Sequence, residues 1–238
     1  MRIVVWNCQM AFRRKFHTLT QLRPDLLVIS ESESPAFLAA RKVHLPWPNH
    51  VWIGDNPAKG LSVFAPAQIG LKLRRIYDPK HRFIAPVRAR FPSGQLDLFA
   101  LWTQAEKRQR DSYIAHSLNA FGPYLRHLRT NALILGDFNS SPVFKGNGKR
   151  HDELVARLSK RRFSSLYHRL KGHAHGQEPD ATFWLHRDPA KPYHLDYIFA
   201  HETVAPTGLT IGAPQDWLGH SDHAPLILDL DAPRFSCV

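Results

Sequence analysis

Cysteine is nearly absent: 238 residues contain only Cys8 and Cys237. Two thiols without a CxxC partner build neither a disulfide framework nor a thiolate zinc module, so a reducing compartment, the cytoplasm, is the expectation. Long apolar runs are missing too, and none approaches the roughly 20 residues needed to cross a bilayer. The opening MRIVVWNCQM puts its short apolar stretch ahead of Arg13, Arg14 and Lys15, the reverse of a secretory signal. Glycine (13) and proline (18) are scattered without period, which excludes a collagenous or low-complexity chain. With 43% hydrophobic and 22% charged residues, what remains is an ordinary globular composition long enough for one domain.

Acid is the scarce charge. Twenty Asp and Glu against 32 Lys and Arg leave a net +12. Such a surface favours a polyanion, nucleic acid first and anionic lipid headgroups second. The cations lie in small groups along the chain: Lys72, Arg74 and Arg75; Lys80 and Arg82; Lys107, Arg108 and Arg110; Lys160, Arg161 and Arg162. Charge alone fits a generally basic soluble protein equally well.

Short apolar or β-branched runs recur at Ile3–Trp6, Leu26–Ile29, Leu61–Phe64, Leu96–Leu101, Ala132–Leu135, Tyr197–Ala200 and Pro225–Leu230. They lack period-2 alternation, so they read as strands buried on both faces. Helical spacing appears at Phe12, Phe16, Leu19 and Leu22, and again from Ile114 to Leu128, where Gly122 and Pro123 should kink or break the helix. Asp152–Leu158 is a third, weaker helix. The order predicts a mixed α/β sandwich of sheets covered by helices.

Chemistry collects at the ends of these runs. Asn7 follows the first, Glu31 the second, and Asp137 and Asn139 follow Ala132–Leu135. Asp196 precedes Tyr197–Ala200, and Asp222 and His223 precede Pro225–Leu230. If the last two strands run antiparallel to the first three, all seven side chains share one edge, where open sheets place ligand crevices. Glu31, Asn7 and Asp222 are hard oxygen donors suited to Mg²⁺ or Mn²⁺. Asp137 is a candidate base for water, Asn139 a donor to water or phosphate, and His223 a cationic imidazole fixed by Asp196. That set suits phosphodiester hydrolysis.

Five blocks carry a resemblance: Trp6-Asn7, PDLLVISE at Pro24–Glu31, GDFN at Gly136–Asn139, LDY at Leu195–Tyr197 and SDH at Ser221–His223. In this order the chain resembles the endonuclease/exonuclease/phosphatase superfamily of exonuclease III-like, abasic-endonuclease-like and DNase I-like proteins. The resemblance implies a DNase I-like α/β (α+β) sandwich: two packed, mixed, mainly antiparallel β-sheets flanked by helices. It implies a single catalytic domain over residues 1–232 with a tail at 233–238. It also implies a Mg²⁺- or Mn²⁺-dependent phosphodiesterase with Asp137 as base, Asn139, Asp196 and His223 as catalytic partners, and Glu31, Asn7 and Asp222 at the metal. A monomeric, cytoplasmic nuclease, acting on DNA before RNA and not inserted in membranes, is expected.

Thr182, Phe183 and Trp184, followed by Tyr193, are similar to the TFW…LDY segment of exonuclease III-type enzymes, which implies aromatic contacts to substrate from Phe183, Trp184 and Tyr193. Core packing competes with that role. Gln9 stands where the family has Asp or Asn, and Trp102-Thr103-Gln104 replaces a usual His or Tyr, leaving Thr103 or Gln104 to contact phosphate. Lys107, Arg108 and Arg110 are expected to meet backbone phosphates. A lipid-headgroup or small-molecule phosphodiesterase and a nucleic-acid-binding module with a decayed site remain alternatives. Glu33 competes with Glu31, Cys8 reads as a small core residue, and His173, His175 and His186 read as an exposed basic loop rather than a zinc cluster.

Overall fold

The computed structural model describes residues 1–81, 84–104, 121–145 and 148–231. One six-stranded sheet has the order β13-β14-β1-β2-β4-β3. Its strands are β1 (Arg2–Asn7), β2 (Leu26–Ser32), β3 (Asn49–Asn56), β4 (Lys59–Ala65), β13 (Pro206–Ile211) and β14 (Leu226–Leu230). The second sheet has the order β5-β6-β7-β8-β12-β9. It comprises β5 (Gly70–Leu73), β6 (Ile84–Phe91), β7 (Gly94–Trp102), β8 (Ala132–Asp137), β9 (Phe163–Ser165) and β12 (Asp196–His201). A two-stranded ribbon, β10 (Phe183–Trp184) and β11 (Pro192–Tyr193), completes the strands. Only β1–β2 and β7–β8 pair in parallel; the other pairs within the sheets are antiparallel. The expected sandwich is therefore found.

Both faces of the central strands are buried, which is why their sequences do not alternate. Ile3, Val5, Leu26 and Val28 meet Leu98, Ala100, Leu133 and Leu135 between the sheets. Val4, Trp6, Leu27 and Ile29 point to the outer face, where Phe12, Leu19 and Trp217 cover them. Phe99, Ile134, Phe138 and Phe199 are covered by Leu154 and Leu158 of α3 (Gly148–Ser159). Cys8 is fully buried in the outer cluster beside Trp6, as a small apolar residue would be.

The first expected helix is split into a 3₁₀ turn, Phe12–Arg14, and α1 (Phe16–Thr20). α2 (Pro35–Ala39) starts at Ser34, whose hydroxyl accepts the Phe37 N–H at 3.2 Å. α4 (Leu166–Lys171) and α5 (Pro214–Trp217) are single short turns. Of the helix expected over Ile114–Leu128, residues 105–120 lie outside the described residues. Residues 121–125, Gly122 and Pro123 among them, are helical, and the turn on which the expected kink or break would fall lies outside the described residues. The expected tail, 233–238, also lies outside the described residues. No helix among the described residues is long and apolar enough to cross a membrane.

Gly136 closes the approach of β8 to β7. Its φ is 146°, and a Cβ there would lie 1.8 Å from the Leu101 carbonyl oxygen. Both the backbone conformation and the contact demand glycine. Gly136→Ala should therefore destabilise the protein by about 3 kcal/mol or more, read from the urea midpoint at constant m-value.

Candidate active site

The two sheets meet at one edge through side chains from five strand ends. Asp196 opens β12 directly opposite Asp137, the last residue of β8. Asn7 ends β1 in the other sheet, and its Nδ2 donates to Asp137 Oδ2 at 2.9 Å and to Glu31 Oε1 at 3.3 Å. His223, just before β14, is held to Asp196 Oδ2 through Nδ1 at 2.8 Å. Its Nε2 stands 4.0 Å from Asp137 Oδ2. Asp137, Asp196 and His223 are each at most 3% exposed. The sequence-predicted residues Asn7, Glu31, Asp137, Asn139, Asp196 and His223 are thus joined by direct contacts, and Asp222 joins them through Gln9.

Local backbone geometry aims these groups. A β-bulge between Ser30 and Ser32 leaves Glu31 out of the β2–β4 ladder, with φ at 64°. Glu33, the competing acid, is buried and tied to the Arg13 guanidinium, so it is unavailable to the site. Asn139 sits at φ 45°, a conformation asparagine tolerates; its N–H donates to Asp137 Oδ1 (2.8 Å) and its Nδ2 to Oδ2 (2.9 Å). The Asp137 carboxylate therefore accepts three amide hydrogen bonds. Thr182 Oγ1 accepts the Leu195 and Asp196 N–H groups at 2.9 and 3.0 Å, and Ser221 Oγ binds the Asn7 carbonyl at 2.7 Å. The Trp6 indole donates to the His223 carbonyl at 2.8 Å.

Burial dominates the electrostatics. It raises the Asp137 carboxyl to about 7, with the His223 imidazolium opposing the rise and Asp196 adding to it. For His223, burial works against the cation, but Asp196 and then Asp137 outweigh it and raise the imidazole to about 10. Asp196 Oδ1 is buried without a hydrogen-bond partner among the described residues, while Oδ2 holds the His223 imidazole.

The hard oxygen donors face a divalent cation with unequal readiness. Glu31 is partly exposed and, among the described residues, its carboxylate is held by Asn7 and by Lys59 Nζ at 3.4 Å, so it fits a cation. Asp222 is half-buried and accepts Gln9 Nε2 at 2.8 Å. Asn7 turns its Nδ2 toward the carboxylates because its Oδ1 accepts the Gln9 N–H at 2.9 Å.

The substrate-facing expectations divide. Thr103 is fully buried and its hydroxyl donates to the Phe138 carbonyl at 2.6 Å, which braces the catalytic loop from beneath. Gln104 lines a pocket of about 160 Å³ with Trp102, Lys59, Ile53, Gly54, Asp55 and Asn56. Trp184 is 6% exposed and packs in the outer core, whereas half-buried Phe183 lies 4.8 Å from the His223 ring. Tyr193 is 6.3 Å from Phe183 and 5.4 Å from Phe144. Lys107, Arg108 and Arg110 lie outside the described residues.

Sequence reasoning passed over Lys59, whose ammonium also lies 5.1 Å from the Trp102 ring, and Arg187, whose guanidinium binds Gln9 Oε1 at 3.0 Å. Neither has a local motif; the departure at Gln9 was the available signal for the second. The exposed basic loop is a correction. His173 and His186 are exposed, but His175 packs against His168 and His151. Burial lowers the His151 and His175 imidazoles to about 4 and about 3, so these two rings are neutral rather than basic.

An acid–base pair and a buried imidazolium at the seam of a two-sheet sandwich define a hydrolase-type centre. Residues 4–223 match the family described as Endonuclease/Exonuclease/phosphatase, and the chain belongs to it. No curated protein matches at a significant level. Among solved structures it is similar to an AP endonuclease from Archaeoglobus fulgidus (15% identity, 98% of this chain and 100% of that one, TM-score 0.70). The AP endonuclease LMAP from Leishmania major gives 11% identity, 98% and 88% coverage and a TM-score of 0.71. The 3′ phosphatase NExo from Neisseria, bound to product DNA hairpin, gives 17%, 98% and 100%, and 0.69. At these identities the neighbours share the fold. Family and fold together make the chain a hydrolytic phosphoesterase of a divalent-metal-dependent family.

The Asp196–His223 pair has a pH signature. The folded value of His223 lies above its ordinary 6.5, so its stabilisation is complete below about pH 6.5 and is lost as pH rises through about 10. In ¹H NMR the His223 ring should stay protonated between pH 5 and 8.5, showing at most a small shift as Asp137, 4.0 Å away, titrates at about 7. Asp196→Asn should bring its titration into that window.

Proposed function

We propose that the protein is a nuclease that hydrolyses DNA phosphodiester bonds, the observation carrying this being Asp137 held by three amides with His223 Nε2 4.0 Å away. Asp137 takes the proton from the attacking water; a carboxyl raised to about 7 is well matched to that task near neutrality. The His223 Nε2–H, with no protein acceptor in hydrogen-bond range on Asp137, is free to donate to a phosphoryl oxygen. Asp196 keeps that imidazole charged, and Asn139 holds the base in register. Glu31 and Asp222 would hold Mg²⁺ or Mn²⁺, with Asn7 orienting Glu31; when bound, the cation supplies positive charge against the developing phosphate charge. Phe183, Tyr193 and Phe144 offer ring faces beside His223 for a sugar or base, and the +12 charge favours a polyanion over a lone headgroup. The protein acts as a monomer in the cytoplasm, in keeping with its two cysteines.

Asp137→Asn and His223→Ala should each lower turnover on nicked or abasic duplex DNA by about 10²–10⁴-fold while remaining folded by circular dichroism. Glu31→Gln should raise the Mg²⁺ concentration needed for half-maximal rate; full activity of the wild type in excess chelator refutes the metal assignment.

Binding of DNA to the Asp137→Asn protein should weaken with salt at a log–log slope of roughly 0.7–0.9 per phosphate contact, and replacing Lys107, Arg108 and Arg110 with Ala should flatten it. A slope near zero, unchanged in the triple variant, moves the assignment to a headgroup or small phosphate ester.

A further inference from the structure

Away from the catalytic edge, four histidines and one glutamate converge behind the loop that carries Asp137. His151 comes from α3, His168 from α4, His175 and Glu178 from the segment after α4, and His194 from just before β12. His168 and Glu178 side chains are only 9% and 4% exposed, and His168 Nε2 lies 2.9 Å from Glu178 Oε1. The His168 and His175 rings stack with centroids 3.6 Å apart. One ligating atom from each of His168, His175 and Glu178 lies within 4.8 Å of the other two. Two imidazole nitrogens and a carboxylate oxygen form a borderline donor set, unlike the all-oxygen set at Glu31 and Asp222.

We infer that His168, His175 and Glu178 bind a zinc-class divalent cation, at a site separate from the catalytic centre, which staples α3, α4 and the 173–178 segment to the back of the catalytic loop. Ligand atoms around a tetrahedral zinc at about 2.0–2.1 Å stand roughly 3.3–3.4 Å apart, so coordination requires the stacked His168 and His175 rings to turn their in-plane lone pairs toward one point as the cluster closes from within 4.8 Å. On binding, the single proton of the neutral His168 ring sits on Nδ1, where Ser165 Oγ at 2.8 Å can accept it, and the Nε2 lone pair facing Glu178 is left for the cation.

Each ligand already has the outer hydrogen bond that orients a metal-binding side chain. His168 Nδ1 pairs with Ser165 Oγ at 2.8 Å, and Glu178 Oε2 accepts the Gly176 N–H at 2.9 Å. His175 Nδ1 pairs with His151 Nε2 at 3.1 Å, and His151 Nδ1 with Ser140 Oγ at 3.0 Å. Ser140 directly follows Asn139, so the chain of contacts runs from the cluster to the catalytic loop. A fourth imidazole beside the cluster is buried with one nitrogen unpartnered among the described residues. His194, 4% exposed with its ring 6.0 Å from His168, gives its Nδ1 proton to the Asp180 carbonyl at 2.8 Å. Its Nε2 is then a bare lone pair, buried with no partner among the described residues.

The test uses full-length protein purified without a polyhistidine tag or nickel resin. Zn²⁺ is titrated against a chromophoric chelator and Co²⁺ is followed by its visible d–d absorption. With excess Mg²⁺ present throughout to fill the Glu31 site, one equivalent of each is expected, with the intense cobalt bands of a four-coordinate N/O site, and Zn²⁺ should raise the melting temperature beyond the value in Mg²⁺ alone. His175→Ala and Glu178→Gln should weaken cobalt binding by more than the roughly 10–100-fold that loss of an outer partner costs. Glu31→Gln should leave it unchanged. Wild-type protein that takes up no stoichiometric Zn²⁺ or Co²⁺ overturns the assignment. So does binding that survives His175→Ala and Glu178→Gln in folded protein, or that disappears in Glu31→Gln.

Discussion

Two carboxylates buried face to face, with one imidazolium between them, set the constraint on which this molecule is built. Asp137 and Asp196 stand opposite each other on adjacent antiparallel strands, where like charges repel most strongly. Water cannot screen them, because both are nearly inaccessible. His223, delivered from the other sheet, balances one charge outright and raises the tolerance for the second. The sandwich must therefore close for the site to exist, and the site draws the two sheets together once it forms.

The amides around Asp137 follow from the same constraint. A carboxylate without water needs donors, and Asn7 and Asn139 supply them from opposite sides of the seam. Nothing further is asked of the interior between the sheets, so its residues are mostly aliphatic or small, with Trp102 and Tyr167 the buried aromatic members. Charge, donors and cavity are concentrated at one rim while the remainder of the sandwich is free to be ordinary core.

Much of this was legible in the residues alone. The seven runs that became β1, β2, β4, β7, β8, β12 and β14 are dominated by buried apolar residues, with only β14 alternating toward solvent at Ile227 and Asp229, so their composition announces them. β6 was not legible, because Arg88 and Arg90 interrupt it and Pro86, one residue past its ladder with β5, argues against a strand. β3, with His50, Gly54 and Asp55, is a half-exposed outer strand with little apolar signal. The acid and amide positions at strand ends were legible through order and spacing. The contacts of Lys59 and Arg187 were not, since each depends on where a hairpin or turn lands in space. The histidine cluster was misread for the same reason: its members lie at 151, 168, 175 and 194, a spacing no short motif describes.

The bulge at Glu31 has a bearing on how freely this chain can vary. A strand residue in register is bound to its neighbours' alternation, so any slip would send a ligand to the wrong face. Glu31 is released from that bookkeeping, because the extra residue lets it leave the ladder while Ser30 and Ser32 keep their partners. Leu27, Val28 and Ile29 can then be exchanged for other apolar side chains of similar volume without re-aiming the acid. The architecture thus separates the part of β2 that may drift from the single residue that must stay put.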